Sequence, residues 1–120
     1  MRHVLLGSLI AIAACSTPTS VDSGLLLVTS RSHSVTLTNH ASDPVSYLIG
    51  TPDYFALYDP GPCRLPEGCN KSLAPKESVT IPNDQIGGYH SGQTSAIVIH
   101  WRGLGGMPAD GPERLEIALR

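Results

Sequence analysis

Apolar residues recur at every second position through most of this chain. In SHSVTLTNH, Val35 and Leu37 point to one side and Thr36 and Thr38 to the other; in PVSYLIG, Val45, Tyr47 and Ile49 share a face. In RLEIALR, Leu115, Ile117 and Leu119 alternate with Glu116 and Ala118, and in TSAIVIHW the apolar run is nearly continuous. A period of two rather than 3.6 is the mark of strands. Seven are predicted, over residues 25–30, 34–39, 45–49, 55–58, 78–81, 95–101 and 114–119. Turn residues separate them at 39–44, 50–53, 59–62, 74–76, 82–84 and 103–112, and Pro and Gly interrupt every stretch long enough for an amphipathic helix. Two half-apolar sheets bury one face each against the other, so the pattern predicts an all-β antiparallel sandwich over residues 25–120.

Two segments strengthen that expectation. VTLTNHASDPVSYLIG (35–50) resembles the strand, Asn-containing turn and strand of bacterial immunoglobulin-like domains, and SLAPKESVTIP (72–82) resembles the segment that feeds a later strand in them. The resemblance implies an immunoglobulin-like sandwich and says nothing about activity.

The N-terminus departs from the pattern. Met1, Arg2 and His3 make a short basic start, an apolar run follows from Val4 to Ala14, and Cys15 ends it. The run is too short for a permanent membrane span, which needs about 20 apolar residues, and its anatomy is that of a secretory signal. Ile12, Ala13, Ala14 and Cys15 resemble the lipobox of bacterial lipoprotein precursors. That resemblance implies removal of residues 1–14, a diacylglycerol on the Cys15 thiol as the only bound group, and anchoring to the lipid bilayer of the cell envelope. Ser16 in place of Asp favours the outer membrane in the family's sorting pattern. After Cys15, the segment STPTSVDSG has almost nothing to bury, so residues 15–24 are expected to form a flexible tether.

With Cys15 acylated, Cys63 and Cys69 remain as an even pair in an exported chain, which reads as a disulfide. Closing so short a loop removes unfolded-chain entropy worth roughly 2–2.5 kcal/mol. The loop follows Tyr54, Phe55 and Tyr58, which account for half of the chain's aromatics, and contains Arg64. Two readings stand for Tyr54, Phe55, Tyr58 and Arg64: a rigid recognition loop for an envelope protein partner, or aromatics covering one edge of the sandwich beside a stabilising staple.

Charge and candidate chemistry narrow the function further. The 120 residues carry 8 Lys and Arg against 10 Asp and Glu, and loss of Arg2 with the signal makes the balance more acidic. The basic residues are scattered singly, so nucleic acid is not an expected partner. His33 and His40 flank one strand and His90 and His100 another, so a pair meeting at one end, with Met107 nearby, is the basis of an alternative Cu or Zn site. GGYHSGQT (87–94) has part of the spacing of a phosphate loop, but Gln93 replaces the lysine and a strand follows instead of a helix. Ser91 beside His90 is the weak basis of a hydrolase reading, since adjacent residues on an extended chain face opposite ways. The expectation is a non-catalytic binding or structural lipoprotein.

Overall fold

The computed structural model describes residues 19–57, 71–104, 108 and 111–120. Eight strands lie in this part: β1 (Thr19–Asp22), β2 (Leu26–Arg31), β3 (Ser34–Asn39), β4 (Val45–Gly50), β5 (Lys71–Leu73), β6 (Ser78–Pro82), β7 (Ser95–Arg102) and β8 (Glu113–Ala118). They form two four-stranded antiparallel sheets, ordered β1-β2-β3-β6 and β5-β4-β7-β8. This is the all-β sandwich that the period-two pattern predicts. The strands divide between the sheets as in immunoglobulin-like domains, with β2, β3 and β6 at positions A, B and E, and β4, β7 and β8 at C, F and G.

The core lies where the alternating positions meet. Leu26, Val28, Val35 and Leu37 from the first sheet pack with Val45, Tyr47, Val98, Leu115 and Ile117 from the second, all buried. Facing outward from the first sheet, hydroxyls pair across strands, with Thr36 and Thr80 at 3.0 Å and Thr38 and Ser78 at 2.7 Å. Such cross-strand pairs stabilise a sheet face that cannot be apolar. The strand β7 is buried on both sides. Ala96, Val98 and His100 face inward, while Ile97, Ile99 and Trp101 form a second cluster on the outer face with Leu48 and Phe55 packed against it. That double burial explains its nearly continuous apolar run.

Two expected elements are corrected. Of residues 55–58, expected as a strand, 55–57 instead belong to helix α1 (Pro52–Leu57), and Tyr58 lies outside the described residues. The amide of Tyr54 donates to Thr51 Oγ1 at 3.3 Å and the amide of Phe55 to the Thr51 carbonyl at 3.2 Å. Thr51 therefore caps a helix whose first position is Pro52 and whose first turn carries Asp53, the residue types a helix start favours. Within the expected tether over residues 15–24, Thr19–Asp22 is instead a strand, paired with β2 in register, Thr19 opposite Ser30 and Asp22 opposite Leu27, and residues 15–18 lie outside the described residues. The strand exists because β2 offers it a ladder, and Ser20 and Thr29 add a side-chain bond at 3.0 Å. Strand β5, three residues against Val45, Ser46 and Tyr47, is an addition with too little sequence to show a period.

The sandwich has two distinct ends. One gathers the β1–β2 turn, the β3–β4 turn, the end of β7 and the start of β8, and is called here the Ser23 end. The other gathers the start of β1, the β2–β3 turn, the 3₁₀ turn Asn83–Gln85 and the end of β8, and is called the His33 end.

Candidate functional site

At the Ser23 end lies a cleft of about 500 Å³, lined by Ser23, Gly24 and Leu25, by Trp101 and Arg102, and by Pro108, Gly111 and Glu113. Period two places His100 on the inner side of β7, and the structure buries it completely. Its Nε2 lies 2.7 Å from Ser23 Oγ and its Nδ1 3.2 Å from the Val98 carbonyl. A carbonyl can only accept, so the ring proton sits on Nδ1 and Nε2 receives the Ser23 hydroxyl proton. Burial pushes the imidazole below its usual pKa, against the opposing pull of the Val98 carbonyl and the Glu113 carboxylate. The ring is therefore neutral at neutral pH. Glu113 Oε2, 3.9 Å from Nε2 and half-exposed, stands beyond hydrogen-bond distance from it.

Serine and a neutral imidazole in this tautomer are two parts of a nucleophile pair. The third part is a set of free donors for an oxyanion, and the amides around Ser23 are engaged elsewhere. Leu26 and Leu25 donate to Ser23 Oγ at 3.1 and 3.4 Å, and Gly24 donates to Asp22 Oδ1 at 2.8 Å. The Ser23 amide itself closes the turn on the Leu26 carbonyl at 3.0 Å. The arrangement is a clasp that holds the β1–β2 turn of one sheet on β7 of the other. Beside it, Arg102 is fixed by Asp43 at 2.7 Å. Among the described residues, Glu113 is the carboxylate on the cleft with no cation against it.

The residues singled out from sequence are placed as follows. Tyr54 and Phe55 lie on α1, half-buried, with ring centroids 5.3 Å apart at 76°. A Cβ on Gly50 would fall 2.6 Å from Tyr54 Cδ2 and one on Gly88 2.7 Å from Tyr54 Cβ, so these glycines admit α1 against the sheet. His40 and His100 share the Ser23 end but face different partners, His40 meeting Asp22 at 2.9 Å. His33 and His90 belong to the opposite end, and His90 Nε2 lies 2.7 Å from Gln93 Nε2. Among the described residues no group of three His, Cys, Asp or Glu side chains is placed to hold a metal. Ile12, Ala13, Ala14, Cys15, Tyr58, Cys63, Arg64, Cys69 and Met107 lie outside the described residues.

Sequence reasoning missed Ser23, Glu113 and Arg102 as members of one site. His100 shares its parity with Ala96 and Val98, but the nearly continuous apolar run around it does not tell the inner face of β7 from the outer one, and Ser23 looked like tether. No family model matches this chain, and no curated protein or solved structure matches it significantly.

Proposed function

We propose that the chain is a membrane-anchored envelope lipoprotein whose sandwich is a non-catalytic binding module, with the cleft at the Ser23 end as its binding surface. The observation that carries the reading is the fixed construction of that cleft. The turn is held by Ser23, Asp22 and His100, and Arg102 is held by Asp43, so a partner docks on a surface already ordered and loses little entropy in doing so. The unneutralised Glu113 favours a partner segment that brings a cation or an N–H donor. Lipid on Cys15 supplies the anchor, since acyl chains contribute about 0.8 kcal/mol per buried methylene and more than one chain anchors durably. The pair Cys63 and Cys69 closes the loop after α1.

The test is cross-linking in the native envelope. The unaltered chain is expected to yield a discrete adduct, lost on Glu113→Ala and weakened on Arg102→Ala; an adduct indifferent to both substitutions refutes the cleft. Labelled palmitate is expected to enter the unaltered chain and not Cys15→Ser. Cys63→Ser is expected to change gel mobility under non-reducing conditions.

A further inference from the structure

The geometry points to the His33 end of the sandwich as a surface that rests on the lipid headgroups, with the cleft turned away from the bilayer. This inference rests on the reading of Cys15 as the acylated first residue and adds to it the orientation of the domain.

The argument begins with β1. Because Thr19 already lies in the sheet, paired with Ser30, only the four residue steps from position 15 to position 19 separate the acylated position from the folded domain. Four residues span at most about 14 Å fully extended, at roughly 3.3–3.6 Å each. Whatever surface surrounds Thr19 is therefore held close to the membrane. That surface is well defined. Thr19 Oγ1 accepts from Arg120 Nη2 at 3.0 Å, and the Arg120 carbonyl accepts from the His33 amide at 3.2 Å and from Asn83 Nδ2 at 3.1 Å. These bonds tie the entry of β1 to the β2–β3 turn and to the 3₁₀ turn, so the chain enters through one rigid end. Arg31, Ser32, His33 and Arg120 are exposed there.

Charge separates the two ends in the same direction. Among the described residues, the His33 end presents Arg31 and Arg120 against Asp53 and Asp84, while the Ser23 end presents Asp22, Asp43, Glu77 and Glu113 against Lys76 and Arg102. The His33 end is thus balanced and the Ser23 end acidic, so an anionic leaflet repels the Ser23 end and not the His33 end. The ends are about 20 Å apart along β3, six residues at about 3.3 Å each. The proposed binding cleft thus faces the aqueous compartment rather than the bilayer.

The test uses the full mature lipoprotein, isolated from membranes and reconstituted in vesicles of phosphatidylethanolamine and phosphatidylglycerol containing a lipid with a nitroxide on its headgroup. Single tryptophans are added at exposed positions, Arg31→Trp or Ser32→Trp at the His33 end and Ser42→Trp at the other, and the Trp101 signal of the unaltered chain is subtracted. Quenching is expected to be several-fold stronger at 31 and 32 than at 42. A flexible Gly/Ser insert of about ten residues between Pro18 and Thr19 is expected to reduce that difference. A chain that floats with the vesicles but is quenched equally at both ends, or more at 42, overturns the orientation alone. A chain whose intact mass lacks acyl groups and which fails to float overturns the anchor, and the orientation with it.

Discussion

Ser23 Oγ and His100 Nε2 lie 2.7 Å apart although 77 residues separate them in the chain. The bond joins a turn at the edge of one sheet to the inner face of a central strand in the other. It also satisfies the only acceptor of a ring that has no access to water.

Replacement of Ser23 by Ala leaves that acceptor buried and unmatched and removes the oxygen that receives the Leu26 amide. A loss of about 1–3 kcal/mol is expected, the usual cost of an orphaned buried polar group. Urea unfolding of the soluble domain measures it, and an unchanged midpoint would show that the clasp contributes nothing.

Stability is expected to depend on pH through His100. Its folded pKa lies below 6.5, mainly because burial disfavours the charged ring. As pH falls through the unfolded value near 6.5, the unfolded chain takes up a proton that the folded chain refuses, so stability falls. The contribution is present above that value and disappears as pH descends toward the folded pKa. Denaturation midpoints between about pH 7.5 and 5 should drop in the unaltered chain and drop less in His100→Gln.

Asn39 is fully buried where β3 leaves the first sheet. Its Nδ2 donates to the Asp43 carbonyl at 2.8 Å and to the Leu73 carbonyl at 3.0 Å, and its Oδ1 accepts from the Ala41 amide at 2.8 Å. One side chain therefore shapes the β3–β4 turn and fastens β5 to it. Asn39→Ala is expected to cost about 3 kcal/mol in thermal or chemical unfolding. Asn39→Asp should be nearly as damaging, because a carboxylate cannot donate to the two carbonyls.

Gly88 and Gly92 offer a controlled comparison. Both have positive φ, but a Cβ on Gly88 would lie 2.7 Å from Tyr54 Cβ and 2.8 Å from Thr51 Oγ1, whereas nothing lies within 4 Å of one on Gly92. Gly92→Ala should cost only the backbone penalty of about 1–2 kcal/mol. Gly88→Ala should cost about 1–3 kcal/mol more from overlap with α1. Equal melting temperatures for the two variants would mean that α1 is not seated on this turn.

The sandwich was legible because most of its long strands carry their own period, and the longest, β7, a nearly continuous apolar run. Val35 and Leu37, or Leu115 and Ile117, reveal a buried face without reference to any other segment. The start of α1, Thr51, Pro52 and Asp53, read as part of a turn at 50–53, and the aromatic residues after it suit a strand as well as a helix. Contact of Tyr54 with Gly50, Gly87 and Gly88 decided between the two, and that contact needs the β6–β7 connection to be in place.

Alternation along the chain thus determined by itself six of the strands and the class of fold, and the inward face of those strands that alternate, because side-chain direction in a strand follows from local backbone geometry. Tertiary structure alone decided that Thr19–Asp22 is a strand, that Ser23 belongs to His100, and that Arg102 and Glu113 flank one cleft. Those residues are polar, short in sequence context and far apart along the chain. Nothing local distinguishes them from solvated turn residues until two sheets pack and one buried ring requires a partner.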